Sequence, residues 1–147
     1  MIVYIWGGIN IFNIDEVRLQ KETKQEAVKH TVENYFKALS SDMDAATLTS
    51  LFCSESFLRF RSHERAGHAA ILEMIQSLLT NPQHLTNMTI DVPSLELVAL
   101  VHGHVVIQGP DNYSEPYSFT MTLVSDRLIR NQDHNRWLIH RLNYQPV

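Results

Sequence analysis

Between Glu22 and Ser40, the apolar residues Val28, Val32, Tyr35, Phe36 and Leu39 recur at helical spacing and fall on one stripe. That stripe predicts an amphipathic helix with one face on a core. Asp42 and Asp44 interrupt it, and Asp44 is placed to cap a short second helix that buries Leu48, Leu51 and Phe52. The period then changes to two. Over Ser56 to Arg61, Leu58 and Phe60 alternate with Phe57, Arg59 and Arg61, the pattern of a short strand. Ser62, His63, Glu64 and Arg65 read as a polar loop, and Gly67 leads into a third helix through about Leu79, with Ile71, Ile75, Leu78 and Leu79 inward. Asn81-Pro82 ends that helix, because a residue before proline is held out of the α region.

The remainder is strand-like. Segments near 84–92, 94–109, 116–126 and 135–145 are separated by turn signals at Pro93, Gly109 to Asn112, and Asn131 to Asp133. In the longest segment the odd positions Leu95, Leu97, Ala99, Val101, Val105 and Ile107 are all apolar, so that face is expected on the core. Gly103 in its middle predicts a bend or bulge that curves the sheet. Helices first and strands afterwards give an α+β class, with three N-terminal helices packed on a curved antiparallel sheet.

Composition adjusts this picture at a few points. The chain has 147 residues, 44% of them apolar and 19% charged, which suits one globular domain. Residues 1–14 carry no side-chain charge, lack a basic start or cleavage site, and fall short of a membrane span. They read as a strand or apolar arm, so residues 1–21 are expected as an N-terminal arm or extension and 22–147 as a single domain. With a net charge of −4 there is no basic field for direct nucleic-acid binding, and no membrane partner is expected. A cytoplasmic location is expected, or nucleus and cytoplasm in a eukaryote. The single Cys53 excludes an internal disulfide and reads as a small buried residue near a helix end. Eight histidines are many for this charge: their full protonation would carry the chain from −4 to +4.

The element order, the helix end at Leu51-Phe52, the short strand Phe57 to Phe60, and Gly67-His68-Ala69-Ala70-Ile71 opening the third helix resemble the nuclear transport factor 2-like superfamily. Gly103 inside a long strand and Arg136-Trp137-Leu138-Ile139 in the last one agree with it. The resemblance covers roughly residues 22–145. It implies a cone-shaped, cystatin-like fold that hosts isomerases, cyclases, dehydratases and plain binding domains.

Four constellations are candidates for function. Val32, Tyr35, Ala38 and Leu39 resemble the first-helix motif of ketosteroid-isomerase-like members, in which the tyrosine donates to a developing oxyanion. That chemistry also needs a carboxylate base and a second acid, and the nearest acids are Glu55 and Glu64 at the edges of the short strand. Secondly, His102 and His104 share a strand face at a spacing that suits joint metal ligation, with His140 as a third candidate. The other reading of that pair is a half-exposed contact face, and no metal or cofactor is expected. Thirdly, Arg141 and Asn143 share strand parity with Trp137 and Ile139. If that parity lines the cone, a pocket of Tyr35, Phe60, Met121, Trp137, Arg141 and Asn143 would suit a small organic ligand. His84 resembles a pocket residue of the SnoaL-like branch, which makes Tyr35, His84 and Arg141 the catalytic candidates.

The fourth is a dimer contact, homodimeric or heterodimeric, through a sheet face carrying His102, His104, Tyr117 and Phe119. Each catalytic pattern lacks its acid, so the expectation is a non-catalytic binding and dimerisation domain. The strand from Gly103 to Gly109 resembles that of mRNA-export adaptors of the superfamily. The alternative is a SnoaL-like isomerase, cyclase or hydratase, or an orphan small-ligand binder.

Overall fold

The computed structural model describes residues 3–5, 9–11, 14–40, 44–93, 97–109, 113–125 and 136–147, and the account of side chains begins at Thr23. Two short strands, β1 (Val3–Ile5) and β2 (Ile9–Ile11), pair antiparallel. Helix α1 spans Ile14–Ser40, eight residues longer at its start than the stripe predicts. Then follow α2 (Ala45–Ser50), β3 (Phe52–Phe60), β4 (His63–Ala66), α3 (His68–Leu78), β5 (Gln83–Asp91), β6 (Val98–Gln108), β7 (Ser114–Ser125) and β8 (Trp137–Pro146). Leu95, Asp42 and the turns at 110–112 and 131–133 lie outside the described residues. No described helix is long and apolar enough to cross a membrane.

Strands β3 to β8 form one curved sheet in the order β4-β3-β8-β7-β6-β5, antiparallel except for the parallel pair β3 and β8. Helix α1 packs on β5 and β8, and α3 on β3 and β4. The expected stripe of α1 is the buried one: Val28, Val32, Tyr35, Phe36 and Leu39 all lie in the core. Asp44 caps α2 as expected, its carboxylate accepting from the backbone N–H of Ala46 and Thr47. The odd positions of β6 from Ala99 to Ile107 are buried, as the alternation predicts.

Two elements differ from the sequence reading. The polar stretch after Phe60 is a strand, β4, whose four side chains are all exposed; an edge strand with both faces wet carries no hydrophobic period to read. Strand β3 begins at Phe52, inside the stretch expected to end a helix, so Cys53 is buried in a strand. The cause is a bulge between Phe52 and Phe57 against β8. It is held by Ser56, fully buried, whose hydroxyl donates to the Ile139 carbonyl at 2.5 Å and accepts from the Cys53 N–H at 2.8 Å. Ser56→Ala leaves both backbone groups unpaired in the core and is expected to cost about 2 kcal/mol, read as a lower denaturant midpoint with an unchanged m-value.

Candidate functional site

The curved sheet has an inner face towards the helices and an outer face away from them, and the sequence candidates divide between the two. On the inner face the Tyr35 and Tyr144 hydroxyls lie 2.8 Å apart, and Tyr144 donates to Oε1 of Gln83 at 2.9 Å. Since Tyr144 gives its proton to Gln83, which can only accept at that oxygen, Tyr35 donates to Tyr144. Both tyrosines are fully buried, and Gln83 is 3% exposed with its amide nitrogen unpartnered. Burial pushes both hydroxyls well above the ordinary phenol range; for Tyr35 the bond to Tyr144 works against that shift without cancelling it.

Around this chain the interior is filled by rings. Tyr35 meets Phe36 and Phe52 edge-on at 5.0 and 6.0 Å, and Phe60 meets Tyr117 and Tyr144 at 5.3 and 5.6 Å. Met121 and Trp137 are buried in the same core. At the rim, Arg61 stacks over Phe60 and Tyr117, donates to the Tyr117 hydroxyl, and pairs with Glu115 at 2.8 Å. Arg61 adopts φ 57°, a left-handed turn conformation usual for Gly or Asn. None of the described Asp or Glu side chains is buried, so no described carboxylate stands beside the tyrosine chain.

Arg141, Asn143 and His84 are not on this face. Thr122 of β7 pairs with Arg141 and the next residue, Leu123, pairs with Ile139, so His140 is an extra residue bulging from β8. A bulge of one residue exchanges the faces. Trp137 and Ile139 point inward before it, and Leu142 and Tyr144 after it, which turns Arg141 and Asn143 outward. The expected shared face of Trp137 with Arg141 therefore does not form. Arg141 is exposed and lies over the Phe57 ring at 5.8 Å. His84 of β5 pairs with Val106 of β6 and is exposed as well. The sheet thus separates His84 and Arg141 from Tyr35.

Tyr117 and Phe119, expected on a contact face, are each 1% exposed and belong to the core. They pair with Val105 and Gly103 on the buried parity of β6, a register that alternation alone does not supply. His102 and His104 are exposed on the outer face. His104 Nδ1 lies 2.9 Å from the Asn87 side-chain oxygen and therefore carries the proton there. β7 separates His140 from β6, and among the described residues no three His, Cys, Asp or Glu side chains gather to hold a metal ion.

Surface clefts lie elsewhere among the described residues. One of 370 Å³ lies between α1 and β5 against Lys29, Met88 and Ile90, and one of 290 Å³ lies between α1 and α2 against Lys37 and Asp44. Neither is lined by Tyr35, His84 or Arg141.

The comparisons agree with this architecture. The model of the nuclear transport factor 2 domain matches residues 27–140. A nuclear transport factor 2-like protein with a cystatin-like fold from Novosphingobium aromaticivorans superposes with TM-score 0.72 at 16% identity, over 93% of this chain and 92% of that one. A hexachlorocyclohexane dehydrochlorinase from Novosphingobium barchaimii gives 0.71 at 14% identity, over 88% and 90%. A protein of unknown function with a cystatin-like fold from Nostoc punctiforme gives 0.67 at 9% identity, over 84% and 90%. At these identities the likeness is one of fold. No curated protein matches the chain in sequence.

Proposed function

The chain belongs to the nuclear transport factor 2 domain family, and from that premise we propose that it is a non-catalytic binding domain that dimerises through the outer face of its sheet. One observation carries the reading: the buried Tyr35–Tyr144 pair has no buried carboxylate among the described residues to work with. A proton-transfer site of the isomerase type needs that carboxylate at hydrogen-bond reach of the substrate carbon. His84 and Arg141 cannot replace it, since they lie across the sheet.

The outer face supports the contact. At about 4.8 Å between strands and 3.3 Å per residue, the face from β3 to β5 covers roughly 800 Å². That is the area one partner contributes to a stable pair. Its central strand β7 carries no charge on this face, with Ser118, Thr120 and Thr122 between the histidines of β6 and the Arg141 and Asn143 of β8. Depletion of charge at the centre is the mark of an interface core.

Light scattering of the purified protein at micromolar concentration is expected to give a dimer. Thr120→Arg places an unpaired charge at the centre of the face and is expected to raise the dissociation constant at least about 100-fold. A wild-type monomer, or a variant that dimerises as well as the wild type, would sink this reading. The narrower role of an mRNA-export-adaptor-like protein rests on the likeness of Gly103 to Gly109 alone. The competing reading, a small-ligand or SnoaL-like site, draws on the amide nitrogen of Gln83, unpartnered among the described residues at the end of the tyrosine chain, and on the fold likeness to a hexachlorocyclohexane dehydrochlorinase.

A further inference from the structure

We propose that His84, His104 and His102 make the outer-face contact proton-gated: associated at neutral pH and released in mild acid. The inference rests on the reading of that face as a homodimer contact. The pairing of β5 with β6 does what the sequence alone did not show, bringing His84 next to the His102 and His104 pair. His84 lies opposite Val106, one step along from His104, and all three rings are exposed. Three of the eight histidines thus form one diagonal stripe across a face of interface size.

The surroundings leave their protonation uncompensated. On β5 the facing residues are Asn87 and Thr89, with Asp91 further along opposite Leu100. On β7 they are Ser118 opposite His104 and Thr120 opposite His102, neither titratable. Beyond Thr120 on β8 stand Asn143 and Arg141, and beyond these on β3 is Arg59, which pairs with Glu64 of β4 at 3.5 Å. Among the described residues, Asp91 at one edge and the exposed Glu55 of β3 at the other are the carboxylates set against three histidines and the Arg141 guanidinium. In a symmetric pair each copy brings the same stripe, so acid adds up to three positive charges to each side of one contact. The hydrogen bond from His104 Nδ1 to Asn87 also fixes which nitrogen is left: Nε2 accepts when the ring is neutral and becomes a second charged donor when it is protonated.

Histidine is the side chain type whose charge changes between pH 5 and 8, so pH 7.5 and pH 5.5 are the two conditions to compare. If each copy must shed one proton to associate, the dissociation constant rises by about 100-fold across that interval. Sedimentation equilibrium of the full chain at the two pH values and constant ionic strength measures it, with far-UV circular dichroism at each pH reporting that the fold persists. The variant carrying His84→Gln, His102→Gln and His104→Gln is expected to keep its affinity within threefold. An equal wild-type constant at both pH values overturns the proposal, and so does a triple variant that weakens in acid as much as the wild type. A wild-type monomer at pH 7.5 instead overturns the dimer reading beneath it. Should the triple variant fail to associate at pH 7.5, the single variants His102→Gln and His104→Gln decide, because an unchanged pH slope in both overturns the gating.

Discussion

Gly103→Ala is expected to destabilise the protein by about 3 kcal/mol and lower its melting temperature by roughly 10 °C. The sign runs against the usual one. Glycine inside a strand costs about 0.5–1 kcal/mol relative to alanine, because the unfolded chain loses more freedom on folding. Here a Cβ would stand 2.4 Å from the Asn87 carbonyl oxygen and 2.6 Å from the Phe119 ring. The first of these is backbone of the neighbouring strand, so relief means moving β5 and not turning a side chain. The glycine also leaves the space in which the ring of its cross-strand partner, Phe119, meets Phe36 of α1 edge-on at 5.2 Å. The helix–sheet distance at the centre of the core therefore depends on the missing side chain. Phe119→Leu in the Gly103→Ala background is expected to cost less than the two single changes together, because the ring is half of the clash. Additive costs measured by denaturant titration would show that the ring contact is not what the glycine serves.

At Gly103 the bulge that the sequence allowed for does not form in the pairing with β7. Alternation along β6 gave the buried parity correctly, and the glycine was expected to bend or bulge the strand. The register of β6 with β7 runs unbroken through it, and the bulges fall elsewhere, near Ser56, Thr86 and His140. Such bulges have no hydrophobic signature. Before His140 the run Trp137-Leu138-Ile139 is apolar at every position and shows no parity, so strict alternation carried on through the bulge puts Arg141 and Asn143 on the wrong face. The helical stripe of α1 was legible because each of its residues meets the core through one helix, without reference to pairing. What joins Tyr35 to Tyr144 and Gln83 is the packing of a helix on the sheet, and what joins His84 to His102 is strand register; both act between segments about 20 to 100 residues apart, which no single segment encodes.

The tyrosine chain should govern how the protein fails in base. Burial holds the Tyr35 and Tyr144 hydroxyls well above the value near 10 that they take in the unfolded chain. Below pH 10 both states keep these protons and stability is unaffected. As pH rises past 10 the unfolded state releases them while the folded state retains them, so stability falls by about 1.4 kcal/mol per pH unit for each group. With two such groups, unfolding free energy is expected to drop by about 3 kcal/mol per unit between pH 10 and 12, enough to unfold a domain of ordinary stability. The tyrosinate absorbance of these two residues should then appear together with unfolding and not before it. In the double variant Tyr35→Phe, Tyr144→Phe the stability at pH 8 is lower by the lost hydrogen bonds, about 1 kcal/mol each, yet the decline above pH 10 is shallower. An equally steep decline would place the alkaline sensitivity elsewhere, Tyr117 being the next buried phenol. Ionisation of Tyr35 in the folded protein near pH 10 would contradict its burial, and would return to the interior the acid–base capacity that the closed core denies it.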